Sequence, residues 1–312
     1  MSATETRTVL SVILCAHNPR EASILRVLQA LEAQTLPKDL WELIVVDNAS
    51  NIPLSSRGWV LPSNARIVVE SELGLTPARL AGVAQAKGVV LVLIDDDTVP
   101  DHGYLQVALA LMQNHPEVGA AGGRICGEYR QQPPPWAYGF LDLLAVRDFG
   151  DRPIRALIYN EVGPWEPCGA GMVVRTNVAL AYALRANEPA RRGLDRVGGS
   201  LSSCGDTDLA RTASDLGFYM AYEPQLTLTH LIPEGRLRLS YLVRLVYSVQ
   251  RDAWMLYRFR GKNCRLEGWR IWAHWVLMPF RSFSLRPQRW LLRCAAACGQ
   301  IKGRSLRLTS NG

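Results

Sequence analysis

The chain has 312 residues, of which 48% are hydrophobic and 20% are charged, an ordinary globular composition. No apolar run approaches the ~18 residues that a membrane-crossing helix needs. We therefore do not expect an integral membrane protein. The first eight residues are polar and do not resemble a signal peptide, and the seven cysteines lack the paired spacing of a metal site. These features predict that the protein is located in the reducing environment of the cytoplasm.

The net charge of +7 is distributed unevenly along the chain. Residues 235–312 contain 16 Lys and Arg but only two acidic residues, so the remainder of the chain carries a net charge of −7. This asymmetry predicts two parts with different partners. We expect a first domain over residues 1–234 and a basic helical extension over 235–312.

The first half of the chain alternates predicted strands and helices. Strands are predicted at residues 8–15, 40–47, 65–70 and 88–94. Helices separate them, and one is expected to open at Thr76-Pro77, an N-cap residue followed by proline. Continuously apolar strands separated by helices predict an α/β fold, with a mostly parallel sheet covered by helices on both faces.

The second half is less regular. Residues 127–167 contain six prolines, which favours a long loop. GAGMVVRTN (169–177) predicts a tight turn followed by a strand, and SCGDTDLARTASDLG (203–217) predicts a capped amphipathic helix. We therefore divide the first domain into halves at about residues 8–126 and 127–234.

Polar side chains collect where the predicted strands end, and ligands of such sheets bind beyond the carboxyl ends of the strands. The longest acidic group is Asp95-Asp96-Asp97, after the fourth strand. If the strand continues, Asp95 and Asp97 point one way and Asp96 the other. Two carboxylates on one side of a strand end are suitable ligands for Mg²⁺ or Mn²⁺, and phosphate oxygens of a substrate could complete the coordination shell of the cation. The alternative is an acidic turn that caps a helix expected near residues 103–115.

Five segments in order resemble the family 2 glycosyltransferases: SVILCAHN, LIVVDNAS, GLTPARLAG, LVLIDDDTVP and SCGDTDLA. The resemblance covers about residues 9–233. It implies a Rossmann-like GT-A fold, a nucleotide-sugar donor with a UDP-sugar favoured, and Mg²⁺ or Mn²⁺ as cofactor. It also makes residues 8–126 the nucleotide-binding half and 127–234 the acceptor-side half.

The resemblance implies roles at the donor. The residues that it places at the nucleotide are Ala16, His17, Asn18, Asp47, Arg79, Asp95 and Asp96. It places the metal at Asp95, Asp97 and His230. Leu80 departs from the family pattern, which usually has Asn after the arginine. Each assignment has an alternative: Asp47 as a turn residue, His17 and His230 as hydrogen-bonded structural histidines, and Arg79 paired with Glu70 or Glu72 at the surface.

The resemblance also implies a base and an acceptor side. Asp206 matches the general base that deprotonates an acceptor hydroxyl, whereas Gly205 stands where Glu is usual. The alternative is that Asp206 only caps its helix. The residues expected on the acceptor side are Trp165, Gly169, Ala170, Gly171 and Asp208. Trp165 can stack on a sugar ring or belong to the core.

The basic extension is predicted to be helical. Arg244, Arg251 and Arg258 recur every seven residues and form one stripe on a helix, and residues 267–276 combine a polar edge with a Trp-rich face. This pattern predicts binding to a cytoplasmic membrane surface. Packing on the first domain and dimerisation are the alternatives, and the oligomeric state stays open. Nucleic acid is not expected, because the aromatic residues cluster on an apolar face.

We therefore expect an inverting, metal-dependent transferase that moves a sugar to a hydroxyl of a glycan or lipid-linked acceptor. We expect this enzyme to act in the synthesis of cell-surface polysaccharide or glycoconjugate, and to be located at the cytoplasmic face of the inner membrane. Processive synthases of the family carry Gln-x-x-Arg-Trp and membrane spans, whereas residues 250–254 read QRDAW, which favours a single addition. Two alternatives are a nucleotidyltransferase that releases pyrophosphate and an inactive sugar-nucleotide-binding scaffold.

Overall fold

The structure is a computed structural model that describes residues 8–157, 163–186, 188, 191, 193–261 and 287–305. Its internal contacts divide the chain into two compact units. The first unit comprises Met1–Glu128, Ala145–Asn187 and Asp206–Leu231. The second comprises Tyr129–Leu144, Glu188–Gly205 and Ile232–Gly312, so two earlier segments belong with the basic extension. The domain boundary expected at residue 234 stays a prediction.

Nine strands of the described residues form one sheet. They are β1 (Leu10–Ala16), β2 (Trp41–Asn48), β3 (Ala65–Glu70), β4 (Val90–Asp95), β5 (Thr98–Pro100), β6 (Val118–Tyr129), β7 (Ile154–Ala156), β8 (Val173–Arg175) and β9 (Tyr219–Ile232). Their order is β3-β2-β1-β4-β8-β6-β9-β5, with β7 also beside β9. β1 to β4 pair in parallel, while β8, β5 and β7 pair antiparallel to their neighbours.

Helices accompany the sheet in the expected alternation. They are α1 (Glu21–Glu32), α2 (Leu75–Gln85), α3 (Tyr104–Asn114), α4 (Thr176–Ala186), α5 (Gly205–Asp215), α6 (Leu239–Phe259) and α7 (Pro287–Ser305). Short 3-10 helices occupy Leu54–Ser56, Tyr138–Leu144 and Glu234–Leu237. Across the described part of the chain, every helix is too short or too polar to serve as a membrane span.

Alternation along β1 explains why helices cover both faces of the parallel strands. Val12 and Leu14 belong to a core that includes residues of α1 and α3. Ile13 belongs to a second core that includes residues of α2, α4 and α5. Each fully buried aliphatic side chain contributes roughly 1.5–3 kcal/mol. The predicted α/β fold with helices on both faces is confirmed.

Two local predictions are wrong. α2 begins at Leu75 and its N-cap is Gly74, so Thr76 and Pro77 lie inside the first turn. Gly74 has φ 150°, which favours glycine, and its N–H donates to Asn48 Oδ1 at 2.8 Å. The continuous loop expected over 127–167 is interrupted by the end of β6, a 3-10 helix and β7. The two strands form because each pairs with β9, a partner distant in sequence.

A buried glutamate ties the parallel strands together. Glu42 on β2 accepts hydrogen bonds from Ser11 Oγ on β1 and from the Lys87 N–H, each at 2.7 Å, and it also pairs with Arg66 on β3. Burial disfavours the ionised form, but these donors outweigh it, so the pKa of Glu42 lies below its ordinary value. The ionised carboxylate therefore stabilises this part of the sheet.

In the second unit, α6 and α7 pack closely against each other. A Cβ atom on Gly303 would lie 2.2 Å from the carbonyl oxygen of Arg251, so only glycine permits this backbone approach. Arg251 also donates to Ser202 Oγ at 2.8 Å, and Arg258 donates to the Gly303 carbonyl at 3.3 Å. Two arginines of the predicted stripe thus make contacts within the unit, while Arg244 is exposed. The Trp-rich segment at 267–276 lies outside the described residues.

Candidate active site at the ends of the strands

The acidic triplet leaves the sheet through a tight turn. β4 ends at Asp95, and Asp96 and Asp97 form the turn that leads into β5. Thr98 Oγ1 accepts the N–H of Asp95 at 3.0 Å and donates to its carbonyl oxygen at 3.1 Å. The expected strand alternation across the triplet is therefore wrong, because the chain turns after Asp95. The Asp95 and Asp97 carboxylates therefore make different tertiary contacts, with Arg79 and His230 respectively.

Asp97 faces His230 across the pairing of β5 with β9. The Leu231 N–H donates to the Asp97 carbonyl at 2.8 Å, and His230 Nε2 lies 3.5 Å from Asp97 Oδ1. Both side chains are buried. A carboxylate oxygen beside an imidazole nitrogen is a donor pair that divalent metal ions accept.

Asp97 and His230 would supply two ligands to a divalent cation, and a bound diphosphate would have to supply others. Within the described ranges, no group of three His, Cys, Asp or Glu side chains is placed to hold a metal ion. The predicted three-residue set is thus not assembled there: Asp97 and His230 come together, whereas the Asp95 carboxylate pairs with an arginine. Oxygen atoms of a bound diphosphate are suitable ligands for the remaining positions.

That arginine is Arg79 of α2. Its side chain is buried, and Nη2 lies 3.6 Å from Asp95 Oδ1. A Cβ atom on Gly169 would lie only 2.1 Å from the same nitrogen, so the guanidinium group packs directly on the Gly169 backbone. The predicted donor-side arginine is therefore brought next to the predicted acceptor-side glycine.

Asp206 lies in the first turn of α5 and reaches the same glycine. Its Oδ2 accepts the Gly169 N–H at 2.8 Å, and its Oδ1 accepts the Thr207 N–H at 2.8 Å. The side chain is only partly buried. Two N–H donors fix the orientation of the carboxylate, and its place at a helix start is electrostatically favourable. Asp95, Arg79, Gly169 and Asp206 thus form one continuous series of contacts.

A buried ion pair supports this series, and sequence analysis missed it. Arg211 of α5 donates to both carboxylate oxygens of Glu166, at 3.1 and 3.2 Å. Arg147 Nη1 donates to the Glu166 carbonyl oxygen at 2.6 Å. Burial raises the pKa of Glu166 above its ordinary value, while Arg211 opposes that shift. Glutamate is rarely this buried without a partner, but neither residue stands in a recognisable local pattern.

The loops that follow β1 and β2 hold each other. His17 Nδ1 lies 2.7 Å from the Asn48 carbonyl oxygen, which can only accept, so Nδ1 carries the hydrogen. His17 Nε2 then accepts from Asn18 Nδ2 at 3.0 Å. Ala16 ends β1 and is buried, whereas His17 and Asn18 are exposed. The hydrogen-bonded role of His17 is observed, and contact with a nucleotide stays a prediction.

Asp47 organises the loop after β2. Its Oδ1 accepts the Ser50 N–H at 3.2 Å and its Oδ2 accepts the Leu54 N–H at 2.8 Å. The side chain is buried. The structure therefore shows the turn role that was the alternative for this residue, and the predicted contact with a nucleotide base stays a prediction.

The other acceptor-side candidates are more deeply placed. Trp165 is partly buried and packs against the second core, and Ala170 is buried. Gly171 has φ 80°, and its carbonyl accepts a hydrogen bond from the hydroxyl of Tyr104. Asp208 is buried within α5. These positions favour structural roles, and their contacts with an acceptor stay predictions.

The two departures from the family pattern have local explanations. Leu80 packs, partly buried, against the second core. In the second unit, a Cβ atom on Gly205 would lie 2.5 Å from Asp195 Oδ2, and Asp195 is buried. A carboxylate therefore occupies the space beside Gly205, where the resemblance leads one to expect a glutamate side chain.

Sequence comparisons show which known proteins this chain resembles. Residues 11–173 match the family described as "Glycosyl transferase family 2". Glycosyltransferase AglE of Haloferax volcanii is 33% identical over 107 residues, which are 33% of this chain and 35% of AglE. The match therefore spans about a third of that relative.

Two solved structures share the fold. The crystal structure of S. aureus TarS 1-349 gives a TM-score of 0.50 at 16% identity, covering 95% of this chain and 81% of that chain. The crystal structure of GalNAc-T7 with UDP, GalNAc and Mn²⁺ gives a TM-score of 0.53 at 16% identity, and the match covers 83% of this chain and 51% of that chain. At this identity the likeness shows the fold alone.

Proposed function

The chain belongs to glycosyl transferase family 2, and on this basis we propose that it transfers a sugar from a nucleoside-diphosphate sugar to a hydroxyl group, with inversion. The observation that carries the proposal is the placement of Asp206. Its carboxylate is partly accessible, held by the Gly169 N–H, and connected through Arg79 to Asp95 at the end of β4.

In the proposed reaction, Asp206 is the general base. It takes the proton of the acceptor hydroxyl, and the hydroxyl oxygen forms a bond to the anomeric carbon of the sugar. The bond from that carbon to the diphosphate oxygen breaks, and the nucleoside diphosphate leaves with the electron pair. A single displacement of this kind inverts the configuration. The N–H of Gly169 keeps the carboxylate oriented toward the reacting group.

Arg79 and the ends of β4 and β9 are proposed to bind the donor. Asp97 and His230 would hold Mg²⁺ or Mn²⁺, with Asp95 and Asp96 near the nucleotide. When bound, the cation neutralises negative charge on the leaving diphosphate. A UDP-sugar is our preferred donor, and the solved GalNAc-T7 structure with UDP and Mn²⁺ supports that choice by its shared fold. Ala16, His17, Asn18 and Asp47 are proposed to contact the nucleotide.

The decisive experiment follows nucleotide release from a panel of nucleotide sugars, with and without Mn²⁺. Asp206→Asn is expected to lower turnover by ~10²-fold while leaving donor binding unchanged. Asp215→Asn is the matched control, because it is the same substitution at the other end of α5, where Asp215 pairs with Arg185. Equal turnover in the Asp206 variant would contradict the base assignment. Release of pyrophosphate as the product would indicate a nucleotidyltransferase. Donor binding without any turnover would indicate an inactive sugar-nucleotide-binding scaffold.

The metal role has a separate test. His230→Ala is expected to weaken binding of Mn²⁺, measured by isothermal titration in the presence of UDP, because one of two paired donors is lost. His115→Ala serves as the control, because it removes a histidine that pairs with Glu117 and not with Asp97. Unchanged Mn²⁺ binding in the His230 variant, or full activity after chelation, would contradict the metal assignment.

We further propose a glycan or lipid-linked acceptor and a location on the cytoplasmic face of the membrane. Support comes from the excess of 16 basic over two acidic residues in 235–312. Each basic residue near an anionic surface adds about 1 kcal/mol to binding. The full chain is expected to sediment with vesicles containing phosphatidylglycerol and to be released by salt. Equal sedimentation with purely zwitterionic vesicles would contradict an electrostatic anchor.

A further inference from the structure

We propose that the buried ion pair between Glu166 and Arg211 positions the base, Asp206, for proton transfer; this inference rests on the proposed function. Neither residue is expected to touch the substrate. Glu166 precedes Gly169 by three residues on the loop before β8, and Arg211 follows Asp206 by five residues on α5. The same two segments are thus joined twice, once by the ion pair and once by the hydrogen bond to the base.

The geometry of the ion pair makes it suitable for this task. Arg211 donates through Nε and Nη2 to the two oxygens of Glu166, at 3.1 and 3.2 Å. A two-point contact of a planar guanidinium with a carboxylate fixes orientation as well as distance. Because Glu166 is near Gly169 in the chain, the pair restricts where the Gly169 N–H can lie relative to α5.

The loop is also held through its backbone. Arg147 donates to the carbonyl oxygen of Glu166 at 2.6 Å, so the backbone of this residue is tied as well as its side chain. Glu166 and Arg211 retain only 5% and 9% of their exposure, which leaves the pair little screened by salt. Apolar residues could fill the same space, but they would not impose a direction on the loop.

The functional consequence concerns one hydrogen bond. The Gly169 N–H lies 2.8 Å from Asp206 Oδ2 and is one of the two N–H donors that fix the carboxylate; the other, of Thr207, belongs to α5 itself, so only the Gly169 bond depends on the loop. If the ion pair is lost, the loop can move relative to α5, and the carboxylate loses one of the two hydrogen bonds that fix its orientation. A misplacement of 1 Å at a reacting group can cost on the order of 10²-fold in rate. We therefore expect an effect on turnover and little effect on donor binding.

The test compares Glu166→Gln with wild type in nucleotide release and in UDP binding by titration. We expect kcat to fall by roughly 10-fold or more, with the Kd for UDP changed by less than about 2-fold. Glu42→Gln is the matched control, because it removes a buried glutamate paired with an arginine in the same unit but remote in sequence from α5. It is expected to lower stability and to leave kcat unchanged.

A double variant separates positioning from general damage. In the Asp206→Asn background, Glu166→Gln is expected to cause no further loss of turnover, because the group that it positions is already removed. An equal additional loss in that background would overturn the inference, as would an unchanged kcat in Glu166→Gln alone. Full turnover in Asp206→Asn alone would instead refute the proposed base.

Arg211→Lys keeps the test valid if Glu166→Gln fails to fold. Lysine retains the positive charge beside Glu166 but cannot make the two-point contact. We expect the same fall in kcat with a smaller loss of stability. Wild-type turnover in a folded Arg211→Lys protein would overturn the inference.

Discussion

Substitution of Gly169 by alanine tests the whole series of contacts at the site. The Gly169 backbone does not adopt the left-handed region, so alanine introduces no backbone strain there. Its Cβ atom would lie 2.1 Å from Arg79 Nη2 and 2.9 Å from Arg79 Cζ. The perturbation therefore acts through one contact, between the new methyl group and the guanidinium.

The magnitude follows from the distance that must be recovered. Ordinary van der Waals contact begins at 3.4 Å, so the guanidinium must withdraw by about 1.3 Å, away from its present position beside Asp95. The displaced group is the flexible end of a buried side chain, and overpacking of this kind costs about 1–3 kcal/mol of stability. If Arg79 positions the donor as proposed, a shift of this size is expected to lower kcat/KM by on the order of 10²-fold.

The assay is nucleotide release over a range of donor concentrations, together with urea unfolding. Gly103→Ala is the control, because a Cβ atom there meets nothing within 4 Å and its φ of −92° suits alanine. We expect Gly169→Ala to combine a modest loss of stability with a large loss of kcat/KM. Wild-type kcat/KM in a folded Gly169→Ala protein would show that Arg79 does not need its present position.

Three further predictions concern stability. Gly82→Ala would place a Cβ atom 2.4 Å from Ile13 Cγ2, and a loss of about 1–3 kcal/mol is expected in urea unfolding; an unchanged midpoint would show that α2 can shift freely on β1. Gly205→Ala should lower the melting temperature because of Asp195, and adding Asp195→Ala should recover part of that loss; no recovery would contradict this contact as the cause. Glu42→Gln should destabilise at pH 7, since the lowered pKa of Glu42 means that the stabilisation is present above the ordinary glutamate pKa. The difference should shrink as the pH falls below about 4, and a difference independent of pH would refute the role of the charge.

Much of the fold could be predicted because its signals are local. The apolar, β-branched runs of β1, β2, β3 and β4 were located within two residues of their observed bounds. β3 was predicted at its observed limits, residues 65–70. Family membership was likewise recognisable from five ordered segments, and it is confirmed. The strand signals depend on neighbouring residues alone and the family signal on the order of segments along the chain, so neither requires tertiary information.

The start of α2 shows where local reasoning fails. Thr76 followed by Pro77 is a favourable N-cap pattern, yet the helix begins one residue before Thr76. The reason is distant in sequence: Asn48, at the end of β2, accepts the N–H of Gly74 and also donates to the Glu72 carbonyl at 2.7 Å. A neighbouring strand end thus decides the helix start.

The sequence by itself determined the class of fold, the family and the set of polar residues that gather where parallel strands end, because periodicity and motif order are visible along the chain without its tertiary contacts. Only the tertiary structure decided how those residues pair. It placed Asp97 beside His230, Arg79 against Gly169, and Glu166 on Arg211. These partners are separated by 45 to 133 residues, and their proximity depends on strand order and helix packing that no local pattern encodes.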